Sequence, residues 1–305
     1  MRKSLWILPA ICLLLSAARA EAVVLRYNLK QDDTSRYREM SAAAFKVTSG
    51  MGGQIASFNG QQVSNGIYRE TVTEVTPEGV ITLVRSLESG KTSVRRRGQE
   101  NSTPRDMPRT KTVIRMTARG RVLSARTSPA EPSAEGKPEA TGMSPELFGM
   151  DLGMLEAVLS HPPLPEGEVK PNDTWTEEVR LPGFMDGPTV TVTLNSRLLA
   201  LAPYKGRDCA KIRTFFQVPL EMDLSQMMQQ LPMAQGGSGD MQITGKLSGT
   251  IEWQFDYKRG QLVYGEGPLE MVATTNFTVS NQQTGTTSGS AKLSLKSNQK
   301  VTLLE

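Results

Sequence analysis

From Met241 to Leu303 the apolar side chains fall almost entirely on odd-numbered positions. Ile243, Gly245, Leu247, Gly249, Ile251, Trp253, Phe255 and Tyr257 alternate with Gln242, Thr244, Lys246, Ser248, Thr250, Glu252, Gln254 and Asp256. Strand side chains point to opposite faces in turn, so this run predicts strands with one dry and one wet face. Gly260 and a turn near Gly285 divide the run, and Val263, Leu269, Met271, Ala273, Phe277, Val279, Ala291, Leu293, Leu295, Val301 and Leu303 keep the phase. Three consecutive strands of about 16–18 residues each span roughly 55 Å at about 3.3 Å per residue. Strands of that length must curve or carry bulges. Gly245, Gly249, Gly265 and Gly267 lie on the apolar face, and bending is expected there.

A second feature is a repeat. Lys170-Pro171-Asn172-Asp173-Thr174 echoes Lys30-Gln31-Asp32-Asp33-Thr34, and Arg259-Gly260-Gln261-Leu262-Val263 echoes Arg119-Gly120-Arg121-Val122-Leu123. Both pairs share an offset of 140 residues, which points to a duplicated unit. The chain then divides into a signal segment 1–20, a first β repeat 21–128, a flexible linker 129–143, a helix 144–160 and a second β repeat 161–305 carrying a short helix 223–231.

The first repeat opens with apolar Val23, Leu25, Tyr27 and Leu29 on one face, and two strands are expected around the turn at Gln31-Asp32-Asp33. Gly50 to Gly60 reads as a glycine-rich loop. Ile67–Thr76 and Val80–Leu87 read as a hairpin across Pro77-Glu78-Gly79. Pro129 to Gly142 has linker composition. Ser144 then suits an N-cap and Pro145 the first helical position, with Leu147, Met150, Met154 and Val158 at helical spacing. In the second repeat Thr189–Leu194 and Asp208–Val218 read as strands across Pro203-Tyr204-Lys205-Gly206. Leu224, Met227, Met228 and Leu231 form a stripe on the short helix that Asp223 would cap, and Gln235 to Asp240 reads as a loop.

Met1 to Ala20 has the form of a secretory signal. Arg2 and Lys3 precede the apolar run Leu5–Leu15, and Ala18-Arg19-Ala20 supplies a cleavage site after Ala20. The expected location is therefore secreted or periplasmic. Cys12 leaves with the signal and Cys209 remains alone, so a core rather than disulfides must hold the fold. The 35 basic residues lose three with the signal, which leaves them nearly balanced by the 31 acidic ones. Charge therefore gives no reason to expect a nucleic-acid partner.

The inventory for chemistry is thin. His161 is the only histidine. It sits before two prolines, and the expectation is a surface position at a helix end. No triad or histidine-rich metal site can be assembled, so no catalytic residue, metal or cofactor is assigned. Asp33-Thr34 and Asp173-Thr174 lack the following glycine and preceding apolar residue of an aspartic protease, and read as turns entering strands. Met222, Met227, Met228, Met233 and Met241 lack the close spacing of a copper site. Met150, Met154, Met227 and Met228 are instead candidates for lining an apolar pocket. Arg95, Arg96 and Arg97 are candidates for an anion patch that meets an envelope polymer or an anionic membrane, or else for a solvated loop.

The segment LPEGEVKPNDTW, from Leu164 to Trp175, resembles a motif of uncharacterised secreted bacterial proteins, which commonly carry glycine where Asn172 stands here. The resemblance implies a β-rich repeat and transfers no active residue. In architecture the chain is similar to periplasmic lipoprotein carriers built as half-open β-barrels. The reading is a mainly β protein of two related antiparallel meander halves, forming a long-stranded curved sheet or half-barrel with two short apolar helices packed on it. The expected role is non-enzymatic binding or structure in the cell envelope. The alternatives are a carrier or sensor of a lipid or other apolar ligand held between sheet and helices, and an outer-membrane β-barrel. Oligomeric state is left open.

Overall fold

The computed structural model describes residues 22–51, 54–96, 103–130, 157–181, 189–223, 225, 237–281 and 285–304. In the first half the strands are β1 (Val23–Val24), β2 (Thr34–Met51), β3 (Gln54–Val75), β4 (Val80–Arg96), β5 (Arg105–Asp106), β6 (Thr110–Thr117) and β7 (Val122–Pro129). The second half supplies β8 (Glu168–Val169), β9 (Thr174–Leu181), β10 (Val190–Tyr204), β11 (Arg207–Asp223), β12 (Gly237–Asp256), β13 (Gln261–Asn281) and β14 (Gly285–Leu304). Twelve strands form one antiparallel sheet in the order β7-β6-β4-β3-β2-β14-β13-β12-β11-β10-β9, with β5 on β4, while β1 pairs with β8. Two meanders are thus joined edge to edge through the ladder between β2 and β14. The mainly β, long-stranded, curved architecture is as expected from the alternation.

The repeat is visible as geometry. Asp32 and Asn172 both adopt positive φ, as do Gly120 and Gly260. In each copy the lysine N–H is accepted by the aspartate carboxylate, Lys30 by Asp33 at 2.7 Å and Lys170 by Asp173 at 3.0 Å. The turn then bonds the neighbouring strand, through Asp32 N–H to Val72 O in one copy and Asn172 N–H to Leu198 O in the other. Arg26 donates to the carbonyl of Glu166, 140 residues on. Equivalent residues touch in this way only near a local twofold axis, so the two leader segments cross there.

At one end these leaders touch both sides of the seam between the sheet's edge strands, the β6–β7 turn on one side and Trp175 of β9 on the other. Tyr27 N–H donates to Ala118 O at 2.7 Å, and Leu164 N–H to Arg119 O at 2.7 Å. Arg119 and Arg121, between β6 and β7, reach Glu177 of β9 at 3.3 and 3.2 Å. The sheet is therefore nearly closed and barrel-like. We call the seam end the base. The inner face there is packed with Leu83, Ile114, Leu198, Ile212, Phe216 and Phe255, all buried with Leu25 and Leu164 of the leaders. Each such side chain contributes about 1.5–3 kcal/mol through burial.

Several expectations are corrected. Gly50 to Gly60 is not a loop: β2 continues to Met51 and β3 begins at Gln54. Gly237 to Asp240 belongs to β12 rather than to a loop. Only 157–160 of the first expected helix is described, as one helical turn, and β11 runs to Asp223, where the second was to begin. Apart from Ser225, which is helical and whose N–H donates to Asp223 Oδ1 at 3.0 Å, the rest of both helices lies outside the described residues.

The strand glycines have a more specific role than bending. Four of them face an aromatic ring directly across a ladder: Gly60 faces Phe45, Gly289 faces Phe277, Gly265 faces Trp253 and Gly249 faces Phe216. A Cβ at any of the four would overlap the opposing ring. The ring lies over the missing side chain, which shields the bare backbone as aromatic rescue does in designed sheets. The curvature has its own sites, among them register shifts between Leu198 and Ala200 and between Gln254 and Phe255.

Gly260 and Gly206 provide a controlled comparison. Both have positive φ, but a Cβ on Gly206 meets open space, whereas one on Gly260 would strike the backbone nitrogen of Asn28 in the leader. G206A should cost about 1–2 kcal/mol, the left-handed backbone penalty alone. G260A should cost at least about twice that in parallel urea denaturation, and equal losses would show that the leader does not depend on this turn.

Candidate functional site

Alternation along β3 and β4 carries two charged residues on the apolar phase. Ile81, Leu83 and Leu87 point inward from β4, and so does Arg85; Tyr68 and Val72 flank Glu70 on β3. Pairing sets Ser35 of β2, Glu70, Arg85 and Thr112 of β6 in one inward row. Arg85 forms an ion pair with Glu39 of β2, lies 3.8 Å from Glu70 Oε1, and stacks at 4.3 Å over the Tyr68 ring. Its Nη1 also donates to Ser160 Oγ at 3.0 Å.

His161 closes the cluster. It ends the helical turn 157–160 as expected, but it is buried rather than on the surface, at 4% exposure. Its Nδ1 lies 3.0 Å from Ala157 O, and its Nε2 lies 3.6 Å from Glu70 Oε2. A carbonyl oxygen only accepts, so Nδ1 carries a proton. Nε2 then faces the Glu70 carboxylate. Burial pushes the Glu70 carboxyl up, but the His161 ring and the Arg85 guanidinium outweigh it and hold Glu70 below the ordinary carboxylate range. Burial and the negative charge of Glu70 raise the Tyr37 hydroxyl well above its usual value. Burial likewise raises the nearby Tyr27, whose hydroxyl donates to Pro162 O at 3.4 Å.

The cluster encloses a cavity of about 20 Å³ lined in part by Tyr27, Tyr37, Gln261 and Val301. That is room for one water among polar groups, not for a lipid chain. It fastens the segment entering the second half to the inner wall of the first. No group of His, Cys, Asp and Glu side chains able to hold a metal occurs among the described residues.

The second region lies at the far end of the long strands. Phe45 of β2 meets Phe58 of β3 edge to face at 5.5 Å. Pairing places Val47 beside Phe58, Leu295 beside Phe45, Leu293 beside Val47 and Met271 beside Leu295, all on the inner face. Phe45, Val47, Met271, Leu295 and Phe277 are only half-buried, and Phe58 is 38% exposed. Directly behind this wall, the outer positions Lys46, Lys246, Lys292 and Lys296 are exposed.

Of the residues singled out from sequence, Met150, Met154, Met227, Met228 and Arg97 lie outside the described residues. Arg95 and Arg96 extend β4, pairing with Gln61 and Gly60, so this part of the basic run is strand rather than loop. Arg95 is exposed. Cys209 is fully buried, and burial pushes its thiol up to about 11. The chain matches no known family and no curated protein.

Removing Arg85 leaves two carboxylates and no guanidinium in a largely buried site. R85A should cost about 3–5 kcal/mol, and E70Q/R85A should cost less than the sum of the single changes in a denaturation cycle. Because folding lowers the Glu70 pKa, its contribution is complete above the ordinary carboxylate range and is lost as pH falls through the folded value. Stability of the wild type should therefore drop more steeply below about pH 4 than that of E70Q. Cys209 should resist thiol reagents at pH 8 until urea unfolds the chain; rapid labelling of the native protein would contradict its burial.

Proposed function

We propose that this chain is a non-enzymatic binding module of the cell envelope, secreted or periplasmic, that holds an acyl chain or similar apolar ligand against the far inner wall. The observation that carries this reading is the half-covered apolar surface of Phe45, Phe58, Val47, Met271 and Leu295. Apolar side chains that large are ordinarily packed away, and a contiguous exposed set marks a binding surface. The exposed lysines on the outer face of the same strands argue that the apolar wall serves the interior.

Two further points support it. The groups best suited to chemistry, His161, Glu70 and Cys209, are buried, and the first two are engaged with each other. A membrane-spanning barrel needs an outward apolar band, whereas Lys46, Lys246 and Lys292 occupy outward positions, so that reading is set aside. The signal-like segment before Glu21 supports export.

Native mass spectrometry of protein secreted from its own signal and purified without detergent should reveal a discrete extra mass that denaturation releases as lipid. A fluorescent fatty acid should bind the delipidated protein, and F58D should weaken it at least about tenfold, as expected for a charge placed on a ligand-contacting ring. The melting temperature should change little, because Phe58 is partly exposed. A clean mass together with no probe uptake would overturn the apolar-ligand reading.

A further inference from the structure

The outer face of the far half has a composition of its own. Cross-strand pairing lines up Lys246 of β12, Val272 of β13, Ser294 of β14 and Lys46 of β2 in one row. The adjacent row is Thr244, Thr274, Lys292 and Thr48. On the other side lie Glu270, Lys296, Ala44, Gln61 and Arg95. Neighbouring strands are about 4.8 Å apart, so Lys246 and Lys46 sit roughly 14 Å from each other on a continuous wall. Lys296 is paired with Glu270 at 3.3 Å, but among the described residues no acid lies within ion-pair distance of Lys46, Lys246 or Lys292.

The same face carries large apolar side chains in water. Ile55 is 80% exposed, Val63 50% and Met40 44%. Their ladder partners are Gly50, Ala42 and Lys300 respectively, which puts all three on the lysine side of the sheet. Cations beside exposed apolar groups match the two layers of a bilayer surface, anionic headgroups above and acyl chains beneath. A hydrophilic anionic polymer would satisfy the lysines and leave Ile55, Val63 and Met40 uncovered.

We infer that the outer face of β3, β2, β14, β13 and β12 docks on an anionic phospholipid surface, with Lys46, Lys246 and Lys292 meeting the headgroups and Ile55, Val63 and Met40 entering the boundary beneath them. The inference does not depend on the apolar-ligand reading, since a surface of this kind holds the protein at a membrane whether or not the interior carries cargo. It also gives exposed Arg95, at the margin of the patch, a place in one anion-binding face with residues far from it in sequence.

Flotation of the mature protein with vesicles tests this. Vesicles containing phosphatidylglycerol in phosphatidylcholine should retain the protein at 50 mM salt and release it as salt rises, whereas pure phosphatidylcholine should not retain it. K46Q/K246Q/K292Q should reduce partitioning on the order of 100-fold, about fivefold for each lysine at an anionic surface. I55S should reduce it further with its melting temperature unchanged. The matched triple K111Q/R115Q/R126Q, which removes exposed cations from the outer face of β6 and β7, should bind like the wild type. Equal loss in both triples would overturn the assignment, as would binding to neutral vesicles alone. Poly-glutamate binding as tight as vesicle binding and unaffected by I55S would assign the face to a polymer instead.

Discussion

The structure depends on one ladder, the antiparallel pairing of β2 with β14. It runs from Leu304 against Arg36 to Gly289 against Met51 without a register shift, and it makes one sheet out of two meanders. Apart from β4 with β6, every other pairing in the large sheet is between neighbours in sequence. This one joins the start of the folded chain to its end, so it carries the largest loop-closure cost. With that joint made, the remaining edges, β7 and β9, face each other across a gap. The crossed leaders and the Arg119–Glu177 contact occupy it at one end.

A nearly closed wall of strands this long raises a packing problem, because a period-two pattern supplies more inward apolar side chains than leaders of this size can cover. At the base the inner face is filled by Leu25, Tyr27, Leu164 and the strand residues around them. Further along, aromatic rings lie over glycines on the facing strand, so the wall protects its own backbone without needing a partner layer. Phe45 over Gly60 and Phe277 over Gly289 are the outermost examples. The half-covered surface they leave is where an apolar ligand fits. The lysines behind it follow from the same alternation read on the other face.

Much of this was legible beforehand. The odd-position pattern from Met241 onward gave the long strands, and the repeated Asp33-Thr34 and Asp173-Thr174 gave the matching turns. Gly50 to Gly60 misled because glycine in a strand looks like a loop until the ring opposite it is known, and Phe45 lies beyond the range of local pattern. His161 misled for a similar reason. Its buried partner Glu70 is on a strand 91 residues away, although Arg85 and Glu70 already stood on the apolar phase of their own strands, a signal that buried charge was present.

What the sequence determined by itself followed from period and turn chemistry: most of the strands, their faces, the turn at Gly260, and the duplication. Those depend on residues within a few positions of each other. Only the tertiary structure decided that β2 pairs with β14, that Arg85 is enclosed by Glu39, Glu70 and Ser160, and that Arg95 shares a face with Lys46 and Lys292. Each of these joins residues whose separation along the chain leaves no local trace. They are settled by closure of the sheet, which fixes the partners for every inward and outward position at once.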